Sequence, residues 1–246
     1  MTLSHAADQV EAMLSDLRSE SRQAVTFQEA AQSVTQRIHA QLSESVILAR
    51  TYATVPFSKL PGPDRLFMKS IAEASGADAS LAEETTVLSL LGTAGTEPAW
   101  CHRSRSQKHL GIPLISAEFV AEIPMIAGVI DRLGSASSWF TSSSVRNARV
   151  ESFFTFTDSF FVNDPANTRD PAGRLLIPAQ DFVEKYNVRS VFGVGGQFPA
   201  SGTILLCILF SNEVVSHTPR WLLRVPLILA TTASALLAGG KIYDIN

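Results

Sequence analysis

Between Ser4 and about Arg50 the chain carries almost no helix breakers, and its apolar positions recur in steps of three and four. Val10, Met13, Leu14 and Leu17 form one set; Phe27, Ala31, Val34, Ile38 and Leu42, continuing to Val46, form a second. Such spacing lays each set along one stripe of a helix. The intervening SESRQAVT (19 to 26) breaks the phase, so the pattern predicts two helices or one with a register slip. Residues 1–45 read as an amphipathic leader. Its narrow stripe fits either a helix capping the sheet of the following body or the seam of a parallel homodimer.

The last quarter changes period. PAQDFVEKYN (178 to 187) is helical, VRSVFGVGG (188 to 196) and TILLCILFSN (203 to 212) are apolar runs around the turn QFPASG (197 to 202), and VPLILATTASALLAGG (225 to 240) closes as an apolar helix. Two strands joined by so short a loop pair antiparallel, and a helix after them covers one sheet face. Upstream, TVPFSKLPGPDR (54 to 65) marks a loop, RLFMKSIAEASG (65 to 76) a helix stopping at Gly76, and TTVLSLLGT (85 to 93) a strand. The polar loop 94 to 109 leads into a second apolar run, LGIPLIS (110 to 116), and a helical-period segment, 117 to 134, interrupted by Pro124. Serine-rich 135 to 147 reads as a connection, VESFFTFTDSFFVND (150 to 164) as one strand or two short ones, and 165 to 174 as a loop.

Composition narrows the class. With 46% hydrophobic and 17% charged residues over 246 positions, the chain can bury a core without reaching membrane-protein levels, so residues 46–246 read as one domain. A net charge of −3 and a pI near 6.0 give no broad attraction for nucleic acid or an anionic membrane, and neither partner is expected. Cys101 and Cys207 are the only cysteines, which fits a reducing cytoplasm better than a disulfide framework. The first twenty residues lack a basic stretch followed by an apolar one, so no secretory signal is read and a cytoplasmic location is expected. Segment 225 to 240 falls short of the roughly 20 apolar residues of a membrane span and reads as a buried terminal helix.

The order FVNDPANTRDPAGRLLIPAQDFVEKYNVRSVFGVGG, then TILLCILF, then a long closing helix, resembles the second half of a GAF domain over residues 150 to 240; residues 40 to 134 match only in the order of elements. LSLLGTAGTEPAW and HLGIPLIS are similar to GAF-like input segments of bacterial signalling proteins. The resemblance implies an α+β, GAF/PAS-like fold: a central antiparallel sheet of about five or six strands, helices on both faces and a long N-terminal helical leader. It places the leader and terminal helices on one face. Residues 94 to 134 and 140 to 175 then cover the other, where family members enclose small ligands. The implied function is non-catalytic sensing of a small molecule in bacterial signal transduction, with the signal passed through the terminal helices.

Candidate chemistry concentrates in WCHRSRSQKH (100 to 109), where Trp100, Cys101, His102, Arg103, Arg105 and His109 are read as the rim of the ligand site. Thiol, imidazole and guanidinium groups in one loop suit an anion, a metal or a cofactor; the plain alternative is a solvated basic loop anchored by Trp100. Zinc fits poorly, because Cys101 and His102 are adjacent and only His109 is near as a third ligand. In bilin-attaching GAF domains the Cys-His pair lies on the helix corresponding to 178 to 187, which here has neither residue, so covalent bilin is not expected. Haem needs one histidine in an apolar pocket, with His102 and His109 as candidates, and the cofactor is left unknown. The cyclic-nucleotide motif is missing. Asn163, Asp164, Asn167 and Asp170 read as turn chemistry, and GVGG (193 to 196) precedes a strand rather than the helix a phosphate cradle requires. No catalytic constellation is apparent, so an enzyme is not expected. The competing readings are an interaction module without ligand and a Cys101-dependent redox enzyme or sensor.

Overall fold

The computed structural model describes residues 7–106, 109–132, 157–198 and 201–244. The leader forms two helices, α1 (Ala7–Gln23) and α2 (Phe27–Gln41), and the helical reading that continued to Arg50 fails at its end. Val46–Pro56 is strand β1. Its run VILARTYATV is rich in β-branched and aromatic side chains, which pack well on a pleated surface, and the strand is buried from Val46 to Val55. Burial on both sides erases the alternation that would have marked it as a strand.

Five further strands complete one antiparallel sheet: β2 (Thr86–Gly95), β3 (Gly111–Pro113), β4 (Thr157–Val162), β5 (Ser190–Gln197) and β6 (Ile204–Ser211). The strand order is β3-β2-β1-β6-β5-β4, with every neighbouring pair antiparallel. The expected late hairpin is therefore β5 with β6. Between the strands run α3 (Gly62–Ala74), α4 (Ala117–Ala121), α5 (Pro124–Arg132) and α6 (Gln180–Lys185), and α7 (Arg224–Ala238) closes the chain. Helix α3 stops where the sequence placed its end: Gly76 turns to φ 66°, and the Ala77 amide reaches back 2.8 Å to the Ala72 carbonyl. The serine-rich connection and the first half of 150 to 164 lie outside the described residues.

Each face of the sheet has its own core. Helices α2 and α7 lie on one face and α1 packs across both helices, burying Met13, Leu14, Leu17, Phe27, Val34 and Ile38 with Val55, Leu91, Phe192 and Leu209 of the sheet. The stripes that suggested a two-chain seam are thus buried within the chain. Contact is close enough that a Cβ on Gly92 would lie 2.6 Å from the Ala31 carbonyl oxygen, so β2 needs glycine where α2 crosses it. The opposite face carries Leu48, Tyr52, Leu90, Leu206 and Ile208 beneath α4, α5, α6 and their flanking segments. Arg220–Ala238 is long and apolar enough to cross a membrane by composition. Here Val225, Ile228, Leu229 and Ala233 of α7 are buried in the helix-side core, while Leu227 and Thr231 face outward.

Helix α2 begins at a variant of the capping box: the Thr26 hydroxyl accepts from the Glu29 amide at 3.1 Å, and the Glu29 carboxylate accepts at 2.7 Å from the amide of Val25, one residue before the cap. Two amides of that first turn remain. They donate to the end of the chain, Phe27 to the Lys241 carbonyl at 2.9 Å and Gln28 to the Ile242 carbonyl at 2.8 Å.

Candidate functional site

The six residues expected to form one rim are not gathered together. Trp100 turns toward α6, its ring 5.6 Å from Phe182 and 4.9 Å from Tyr186, and Phe182 continues the cluster to Phe210 at 5.3 Å. This is the anchoring expected of the plain alternative. Cys101 is exposed, with its thiol 3.4 Å from the Glu97 carbonyl. His102 uses Nδ1 to accept from the Ser104 amide at 3.2 Å, and burial, then Arg105 and Arg103, push its imidazole below the usual value. Arg105 and His109 are exposed, His109 at φ 58°.

Arg103 is buried and committed to structure at the edge of β2. Strand β3 pairs only with Val87–Ser89, so β2 beyond that point has an edge without a strand partner. Side chains close it. Arg103 Nε donates to the Leu90 carbonyl at 2.5 Å and its guanidinium pairs with Asp64 of α3. Gln32 of α2 donates to the Thr93 carbonyl at 2.8 Å while its Oε1 accepts from the Thr93 amide at 3.2 Å and the Arg103 amide at 3.0 Å. Burial pushes the Asp64 carboxyl above its ordinary value against the pull of Arg103. The chain end joins this network: Tyr243 donates to Ser89 at 2.9 Å, and its ring lies 5.2 Å from the Arg103 guanidinium carbon.

The other face holds the feature that motif reading missed. Arg50 lies mid-strand in β1 between Leu48 and Tyr52, all three on the face away from α2, and is only 7% exposed. Its Nη1 donates to the Tyr52 hydroxyl at 3.2 Å, while its buried Nε has no partner among the described residues. Directly opposite on β2 is Thr93, fully buried, whose hydroxyl also lacks a partner among the described residues. Residues opposite one another in an antiparallel pair share a face, so the two orphan groups are neighbours. Among the described residues no acidic side chain pairs with Arg50. The shift of register between Thr51 and Tyr52 puts Leu91 in a bulge beside them, a device that re-aims neighbouring side chains. On the far side Arg50 faces Ile208 and, beyond it, Gly193, where a Cβ would meet the Phe160 ring at 2.5 Å.

No protein-family model matches the chain, and no curated protein matches it. Among solved structures it is similar to a phycoerythrobilin-bound GAF domain from a cyanobacterial phytochrome, at 12% identity over 94% of this chain and 95% of that one, with a TM-score of 0.46. A phycocyanobilin-bound GAF domain from a cyanobacterial phytochrome gives 11% identity over 94% of both chains and 0.46. The photosensory core module of Stigmatella aurantiaca phytochrome gives 12% identity over 96% of this chain and 39% of that one, at 0.44. Scores this low add nothing to the topology, which stands on the strand order and the two helical layers. The fold is GAF-like.

Helix α6 and its flanks carry neither cysteine nor histidine, and Cys101 is on the loop beyond β2. Of the haem candidates, His102 is half-buried and His109 exposed. A Cys101 redox cycle finds no second thiol nearby in the fold: Cys207 is fully buried in the helix-side core, where burial pushes its thiol up to about 12. No cluster of three metal-binding side chains occurs among the described residues. Asp164, Asn167 and Asp170 serve turns, as expected; the Asp170 carboxylate accepts from the Arg174 amide at 2.8 Å. The signal for Arg50 was present in the sequence as a lone charge inside an apolar, β-branched run, and carrying the breaker-free leader on to about Arg50 hid it.

Proposed function

We propose that this chain is a non-catalytic, small-molecule-sensing domain of bacterial signal transduction, binding its ligand on the sheet face that carries Arg50 and passing the signal to α1, α2 and α7. The observation that carries this reading is the Arg50 and Thr93 pair. A buried guanidinium edge and a buried hydroxyl without partners among the described residues are costly, and the two lie side by side on one sheet face, while the network around Gln32 and Arg103 is satisfied. Thr93 joins the two sides. Its side chain belongs to the Arg50 face and its backbone is held by Gln32 of α2, so a ligand that moves one biases the other. Homodimerisation belongs to the same proposal and, with both leader stripes turned inward, has to use outer helix faces such as that of Leu227; light scattering checks it. A fragment screen followed by hydrogen exchange tests the sensing role. Hits are expected to protect amides of Arg50–Tyr52 and Leu90–Thr93 together with the start of α2; hits confined to exposed loops would overturn it.

A further inference from the structure

We infer that the ligand of this face is a small organic carboxylate, held by the unpartnered edge of the Arg50 guanidinium and by the Thr93 hydroxyl. The inference rests on the sensing role above and adds the chemical class. With Nη1 given to Tyr52, Arg50 keeps the edge that bears Nε. That edge presents two parallel N–H donors, the geometry that matches the two oxygens of a carboxylate. Thr93, opposite on β2, supplies an O–H donor from the next strand. Apart from the Tyr52 hydroxyl, the described side chains flanking the pair on the sheet are apolar: Leu90 on β2, with Leu206 and Ile208 on β6, all 1% exposed or less. Inorganic phosphate or sulfate would leave oxygens against these aliphatic groups without donors, whereas an acid with an apolar body satisfies both halves of the surface.

Thermal melting with matched probes tests this. Wild type, Arg50→Met and Thr93→Val are melted at constant ionic strength with acetate, hexanoate, benzoate, hexanamide, benzamide or phosphate. Hexanoate or benzoate is expected to raise the wild-type midpoint saturably, by roughly 5 °C at a hundredfold excess over the dissociation constant, while the amides and phosphate leave it unchanged. Arg50→Met is expected to melt no lower than wild type without ligand, since it removes a buried unpaired charge, and to lose the response; Thr93→Val weakens apparent affinity about five- to tenfold. A wild type that ignores every carboxylate overturns the inference, as does an Arg50→Met protein that responds as wild type does. Equal shifts from phosphate would assign an inorganic oxyanion instead. Amides that shift wild type and Arg50→Met alike would retain the ligand face and its sensing role while overturning the anionic class.

Discussion

Gln32 and Thr93 exchange two hydrogen bonds, side-chain amide to backbone, across the boundary between α2 and the edge of β2. One helix residue thereby does what a missing strand would do. Gln32→Leu leaves the Thr93 amide and carbonyl and the Arg103 amide without partners in a buried place. The expected loss is about 2–4 kcal/mol, read from urea unfolding with an unchanged slope.

Asp64 and Arg103 form a buried ion pair, and the two sides of it are not equivalent to the pair removed whole. Asp64→Asn or Arg103→Met alone strands one partner and is expected to cost about 3–5 kcal/mol. The double variant is expected to lose distinctly less than the sum, and a double-mutant cycle in denaturant measures the difference.

Tyr243 fastens the end of the chain. Burial pushes its phenol above the ordinary value, so it stays a neutral donor to Ser89 throughout the working range. Tyr243→Phe removes one hydrogen bond and is expected to cost about 1 kcal/mol. Tyr243→Ala also empties the space beside Arg103 and is expected to cost about 3–5 kcal/mol. Hydrogen exchange should localise the damage: the Phe27 and Gln28 amides, which donate to the Lys241 and Ile242 carbonyls, lose protection before the rest of α2.

His39, in the last turn of α2, sets a dependence on acid. Burial pushes its imidazole below the usual value, and its Nε2 has no partner. The neutral ring is therefore favoured in the native state, and the unfolded chain takes up the proton first as pH falls below about 6.5. Stability is expected to be full above that pH, to decline below it and to level off once the native ring is also protonated. His102 contributes in the same direction. His39→Phe should flatten part of the slope between pH 7 and 5 in urea midpoints, leaving the part that belongs to His102.

Periodicity and turn chemistry made much of this fold legible. The α3 stop at Gly76, the β5 and β6 hairpin and the apolar α7 were all readable, because each is signalled within a few residues. β1 was not, since a strand buried on both faces carries no alternation and its first residues continued the helical spacing of α2. The site suffered for the same reason. The loop from Trp100 to His109 drew notice through its density of reactive side chains, yet the fold spends Trp100 on packing and Arg103 on an edge. Arg50 and Thr93, 43 residues apart in sequence, become neighbours only through strand register.

The most direct measurement is the side-chain resonance of Arg50 Nε–H in a nitrogen-edited NMR titration with benzoate, followed alongside the Thr93 backbone amide and the Gln32 side-chain amide. All three are expected to shift along one binding curve, with the Arg50 proton slowing its exchange with water as the carboxylate takes it up. An Arg50 Nε–H that neither shifts nor slows, while resonances elsewhere respond to benzoate, would contradict the account.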